Sequence, residues 1–239
     1  MANPTAAMLV IGDEILSGRT RDSNMHYLAN ELTRAGITLA EVRVVPDDHA
    51  AIVAGVRALS DAYDHLFTSG GIGPTHDDIT ADAVANALRV TITHRADAMK
   101  LLGAHYERSG LPFNEARQRM ARIPDGAKLI ENPVSVAPGF TVGNVHVMAG
   151  VPKIFEAMLA GLLPTLTGGA PLLSQSLRVE RGEGEIAGPF GALAAEFPDL
   201  SMGSYPFTLN GAHGTNLVIR GTDPARVDEA MVRLAQLFG

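Results

Sequence analysis

The chain has 239 residues, 46% of them hydrophobic and 19% charged, with a formal net charge of -7 and no cysteine. Such a length and composition suit one or two globular domains with a real core. They exclude disulfides, thiolate metal sites and a cysteine nucleophile, and the acidic balance gives no general reason to expect nucleic acid or an anionic membrane as partner, short of a local basic patch.

The first residues, Met1-Ala2-Asn3-Pro4-Thr5, have no basic flank and run straight into an apolar stretch closed by Asp13 and Glu14, so no signal peptide is expected. No apolar run approaches the ~20 residues of a membrane span, and the expected location is the cytoplasm. Residues 6–11 read as a strand ending in a Gly-Asp-Glu turn. Over residues 22–35, Met25, Leu28, Ala29 and Leu32 recur at helical spacing and Gly36 closes the helix. Residues 38–45 read as a strand stopped by Pro46; Asp47 or Asp48 caps a helix with Ile52, Val53, Val56 and Leu59 on one face. A strand over residues 65–68 opens into a glycine loop, and Thr75 or Asp77 caps a helix reaching Leu88. Strands alternating with helices in this way predict parallel βαβ units in a three-layer α/β/α sandwich.

Residues 96–109 and 114–123 read as helices joined around Gly110-Leu111-Pro112. Residues 140–142 and 145–148 flank Gly143-Asn144 as a hairpin, which makes the mostly parallel sheet a mixed one. Pro152 starts a helix running to Leu163. Residues 166–171 are the best linker, dividing an α/β domain over 1–168 from a small α+β domain over 171–239. The tail reads as strand (172–181), helix (184–196), strand (201–209), strand (215–221) and helix (224–238), a βαββα order.

The chemistry centres on Ser69-Gly70-Gly71-Ile72-Gly73-Pro74-Thr75-His76-Asp77-Asp78. Gly70, Gly71 and Gly73 let a ligand approach main-chain N–H groups, and the start of the following helix suits phosphate. Asp77 and Asp78 would repel a bare phosphate; a divalent cation, Mg2+ or another, removes the conflict. Thr75, Thr80 and Asp82 add hydroxyl or carboxylate contacts, and His76 is the one histidine placed to touch a ligand. The segment is neither a Walker A loop nor a Rossmann fingerprint.

A second cluster, Gly12-Asp13-Glu14 with Asp22 and Asn24, follows the first strand and so belongs at the same carboxyl edge of a parallel sheet. Read singly, Asp22 is a helix cap and Asp13 and Glu14 are solvated turn residues; beside the glycine loop, Asp22 and Asn24 gain a functional reading. The third cluster runs from Glu131 to Phe140, with Ser135, Pro138 and Gly139, and is joined by Gly150-Val151-Pro152-Lys153, a loop entering a helix that suits an anion. The remaining histidines show no ligand spacing.

Gly12-Asp13-Glu14-Ile15-Leu16, Asp22-Ser23-Asn24, residues 68–75 with Asp77-Asp78-Ile79-Thr80, and Ala137-Pro138-Gly139-Phe140 occur in an order that resembles the amino-terminal module of the competence/damage-inducible (CinA) family. The resemblance covers residues 5–166 and implies the molybdopterin-binding fold shared with molybdopterin adenylyltransferases, gephyrin and part of FAD synthase. The βαββα tail resembles the small KH-like domain that follows the module in that family; with no obvious Gly-x-x-Gly loop, RNA binding is not expected from it. Longer members add a deamidase domain, which this chain, ending at Gly239, is not expected to supply. Ala149 and Ile154 depart from the pattern, where many relatives have Pro and an acidic residue.

The resemblance implies a small-molecule partner, a nucleotide or pterin phosphate. It also implies a divalent cation held by Asp22 and Asp78, catalysis by Asp78, Asp22 and Asp77, and a homo-oligomer, dimer or trimer. Three activities remain open: metal-dependent hydrolysis of ADP-ribose- or FAD-like pyrophosphates, molybdopterin binding or adenylyl transfer in molybdenum cofactor assembly, and non-catalytic nucleotide or pterin binding.

Overall fold

A computed structural model describes residues 3–209 and 211–239. The chain divides after Gly169 into two compact units. The first unit follows the order β1 (Thr5–Ile11), α1 (Asp13–Leu16), α2 (Asn24–Arg34), β2 (Thr38–Val45), α3 (His49–Ala62), β3 (His65–Ser69), α4 (Thr80–Leu88), β4 (Ile92–His94), α5 (Ala96–Arg108), α6 (Glu115–Gln118), β5 (Arg122–Pro124), β6 (Lys128–Ile130), β7 (Gly139–Val142), β8 (Val145–Met148) and α7 (Pro152–Leu162). Six strands form one sheet in the order β2-β1-β3-β8-β7-β6. The pairs β1–β2, β1–β3 and β3–β8 are parallel, whereas β8–β7 and β7–β6 are antiparallel. The hairpin at Gly143-Asn144 makes the sheet mixed, as the sequence predicts.

β1 shows why three layers form. Ala7, Leu9 and Ile11 enter one core with Ile52, Val56 and Leu59 of α3 and Val84 of α4. Ala6, Met8 and Val10 enter the opposite core with Leu28 and Leu32 of α2 and Phe155 and Leu159 of α7. Apolar side chains on both faces are what a strand needs when helices cover the sheet twice. Asp48, the second of the two candidate caps, accepts the Ala51 N–H at 2.8 Å and opens α3.

The structure corrects the sequence reading at three places. α4 begins at Thr80, with no side-chain cap from Thr75 or Asp77. Asp78 instead accepts the Thr75 N–H (2.8 Å) and hydroxyl (2.6 Å), and this closed turn competes with helix. Residues 114–123, expected as one helix, form the single turn α6, a 3-10 turn over Arg119–Ala121 and then β5, which pairs with β4. β4, β5 and β6 hold three residues each, too few for a periodic signal. Last, Asp13–Leu16 forms one helical turn where the sequence suggests only a bend.

The second unit contains β9 (Leu173–Val179), α8 (Glu183–Glu196), β10 (Ser201–Leu209), β11 (Ala212–Gly221) and α9 (Pro224–Phe238), the expected βαββα order. Its antiparallel sheet runs β10-β11-β9. Val179, Leu217 and Ile219 pack against Ile186 and Leu193 of α8 and Val227 and Leu234 of α9 in a separate core. Among the described residues, no helix is long and apolar enough to cross a membrane.

Candidate active site

Parallel pairing places the carboxyl ends of β1, β2, β3 and β8 at one sheet edge, and β6 runs in the same direction two strands further on. The loops leaving these five strands therefore converge, at the position where open α/β sheets bind ligands. Between them lies a cavity of about 560 Å³, lined by residues from all five.

Its floor is the glycine loop. Gly70 has φ +110 and a Cβ there would stand 2.2 Å from the Ile11 carbonyl oxygen; Gly71 has φ +68 and its Cβ would stand 2.2 Å from Thr80 Oγ1. Both positions require glycine for conformation and for space. The N–H of Gly70 donates to Met148 O and that of Thr80 to Gly71 O. The N–H groups of Gly71, Ile72 and Gly73 make no hydrogen bond among the described residues, and all three residues line the cavity. The helix start expected to hold phosphate is thus set back, and the loop's own amides are the available donors.

The wall is acidic. Glu14, Asp47, Asp77 and Asp78 all line the cavity. Asp47 Oδ2 accepts the Asp13 N–H at 2.9 Å. Burial raises the Asp47 carboxyl above the usual carboxylate range; the Asp13 hydrogen bond opposes this, and the nearby Asp13, Glu14 and Asp77 carboxylates reinforce it.

The third cluster closes the cavity through Asn132, Ser135 and Ala137. Buried Asn132 accepts the N–H groups of Val134 and Ser135 at 3.0 Å each and donates to Ser135 Oγ and Ala137 O. Val136 is held in this turn at φ 68, a costly conformation for a β-branched residue that persists only where surrounding contacts impose it. Gly150 and Pro152 line the cavity, as do Ala149 and Ile154, the two departures from the family pattern.

Other predicted residues serve the site from behind. Buried Asn24 donates to Ser69 Oγ and to Gly150 O, both at 2.8 Å, and ties α2 to two of the loops. Gly12 donates its N–H to Val45 O, and Asp13 lies in an outer groove with Glu14, Asp47 and Asp77. Thr75 holds Asp78, and Thr80 is buried under Gly71 with its hydroxyl unpartnered. Pro138 borders a side cavity, and Gly139 is buried in β7 against Val147 O.

Four more expected contacts are also absent from the cavity lining. Asp22 accepts the Met25 N–H at 2.8 Å and serves as a cap of α2. Asp82 pairs with Arg122, and His76 is 99% exposed, 3.9 Å from Asp77. Lys153 is exposed and lies outside the lining. The residue that sequence reasoning missed is Asp47: it adjoins the cap Asp48, and only the order β2-β1-β3 brings it to Glu14 and Asp77.

Residues 7–168 match the family model described as "Probable molybdopterin binding domain", and residues 171–239 match that of the middle domain of FAD synthase. The crystal structure of the protein CinA from Thermoplasma acidophilum, described as of unknown function, is 34% identical with a TM-score of 0.63, over 68% of this chain and 97% of that one. A protein of Archaeoglobus fulgidus is 33% identical over 83% of this chain and 84% of its own length. A "Probable FAD synthase" of Caenorhabditis elegans is 32% identical over 95% of this chain, which spans about half (48%) of that relative. The chain belongs to the molybdopterin-binding domain family, in its CinA-like form.

Proposed function

We propose that the chain is a divalent-metal-dependent nucleotide pyrophosphatase acting on ADP-ribose- or FAD-like substrates. One observation carries the reading: three unpartnered amides, Gly71 to Gly73, border the same cavity as four carboxylates, Glu14, Asp47, Asp77 and Asp78. The amides suit phosphate oxygens and the carboxylates suit a cation, the two halves of a phosphoanhydride site. Among the described residues no group of three or more His, Asp or Glu side chains is arranged to hold a metal by itself. That fits Mg2+, which uses one or two carboxylates and takes further ligands from water and substrate phosphate. Asp78 and Asp77 are the residues that would hold it; Asp22 stands behind them as a cap.

When bound, the cation neutralises charge developing at phosphorus. The loop amides hold the phosphate in place. Asp47, raised by burial, is suited to accept a proton from the attacking water, because a carboxylate of higher pKa is the stronger base. Asp78→Asn is expected to abolish release of AMP from ADP-ribose in Mg2+ while leaving the circular dichroism spectrum unchanged. Unaltered turnover in that variant would sink the assignment.

The family description favours a second reading, molybdopterin binding or adenylyl transfer, in the same cavity. It requires AMP transfer from ATP to a pterin phosphate, and absence of that transfer in Mg2+ argues against it. Self-association as a dimer or trimer, implied by the resemblance, is decided by sedimentation of the full chain.

A further inference from the structure

The sheet of the second unit has one face that neither of the unit's helices covers. Val179, Leu217 and Ile219 point to the core shared with α8 and α9. Side chains alternate along a strand, so the residues between them stand on the opposite face. Strand register groups Arg178 of β9, Asn216 and Arg220 of β11, and Tyr205 and Phe207 of β10 there. Each ring folds down over a glycine: a Cβ at Gly203 would meet the Tyr205 ring at 3.1 Å, and one at Gly214 would meet the Phe207 ring at 2.5 Å. The Arg178 guanidinium sits over Phe207, 3.9 Å from its centroid. Arg220 Nη1 donates to the Tyr205 phenol oxygen at 3.0 Å. Tyr205 and Arg178 are exposed.

Charge sets this face apart. β9, β10 and β11 contain two arginines and no Asp or Glu, in a chain whose net charge is -7. Neither arginine has a carboxylate partner among the described residues; the ion pairs of this unit are made by Arg226 and Arg233 of α9. The face is thus a local basic patch of the kind that an acidic overall composition leaves open. A second copy of the chain docked face to face would set arginines against arginines, which disfavours self-pairing.

We propose that this face binds single-stranded nucleic acid, RNA or DNA. One unpaired base stacks on the Tyr205 ring and a second on the Arg178 guanidinium, which Phe207 backs. The N–H groups of Arg178 and Arg220 meet the phosphates, and Asn216, between Tyr205 and Arg178, offers hydrogen bonds to a base edge. A duplex, with its bases paired and stacked inside, cannot use the rings. The tail's family likeness gives no such expectation; the three-stranded face carries it by itself, independently of the pyrophosphatase reading.

Fluorescence anisotropy on the full chain tests this with two fluorescein-labelled probes, a short oligouridylate and the matching oligothymidylate. Saturable binding is expected, and the probe bound more tightly identifies the nucleic acid. Tyr205→Ala is expected to weaken binding about tenfold, the scale of one lost base stack, whereas Tyr205→Phe keeps the ring and binds as wild type does. Arg178→Gln is expected to halve the salt dependence, since each phosphate contact contributes a slope of roughly -0.7 in log affinity against log salt. Both side chains are exposed, so circular dichroism is expected to be unchanged in these variants. Binding of neither probe, a duplex of the same length bound as tightly, or affinity that neither Tyr205→Ala nor Arg178→Gln alters overturns the surface. So does binding that AMP displaces, which belongs to the main cavity.

Discussion

Asn24 shows how one buried polar residue organises a site that it does not line. Its amide nitrogen donates to Ser69 Oγ and Gly150 O, so the loops after β3 and β8 share one anchor on α2. Asn24→Asp replaces a donor with a carboxylate facing two acceptors, and urea denaturation is expected to show a loss of about 2 kcal/mol or more. Gly71→Ala meets both a φ of +68 and the Thr80 hydroxyl; it is expected to cost about 1–2 kcal/mol and to abolish nucleotide binding in a titration. Asp47 points the other way. Its carboxyl lies above the reference value of 3.8, so its ionised form is disfavoured in the fold. The stability linked to this group is fully present below the unfolded value and lost as pH rises through the raised folded one. Asp47→Asn is therefore expected to raise Tm at neutral pH while abolishing Mg2+-dependent turnover. These residue types are visible in the sequence, but Asp47 is hidden there beside Asp48, whose capping spacing explains both aspartates equally well.

At the scale of elements, β3 and β8 share a device away from the candidate active site. His65 Nδ1 lies 3.2 Å from His146 Nε2, and His146 Nδ1 lies 3.0 Å from Thr141 Oγ1. The pair borders a second cavity of about 540 Å³, together with Asp64, Lys128 and Glu131. Burial and the neighbouring His65 push the His146 imidazole from 6.5 down to about 3, and burial lowers His65 as well. The unfolded chain takes up a proton near pH 6.5 that the folded chain refuses until about pH 3, so this contribution is intact above 6.5 and lost as pH falls through that window. His146→Phe keeps a ring against Phe67, whose centroid is 4.9 Å away, and is expected to flatten the acid limb of the Tm–pH curve. An equally steep limb would show that the pair does not carry the acid sensitivity. The pairing is absent from sequence periodicity, because 81 residues separate the two histidines. Where elements are long and regular, as in α2, β2 and α3, spacing and punctuation sufficed. The start of α4 escaped because Asp78 closes a local turn on Thr75.

For the whole molecule, each unit has its own core, and that of the second draws only on β9 to α9. A domain with a core of its own can in principle fold alone. Residues 1–169 expressed alone are expected to unfold cooperatively and to bind AMP as the full chain does; loss of either behaviour would show that the second unit completes the first. Composition, the βα alternation, the βαββα tail and the glycine–aspartate loop were all determined by the sequence itself, because local propensity, period and turn chemistry are properties of neighbouring residues. The partition of the carboxylates was decided by tertiary structure alone. Strand order gathers Glu14, Asp47, Asp77 and Asp78 around one cavity, leaves Asp22 as a helix cap and gives Asp82 to Arg122. A carboxylate's role depends on what faces it across the fold, and that follows from which strands become neighbours.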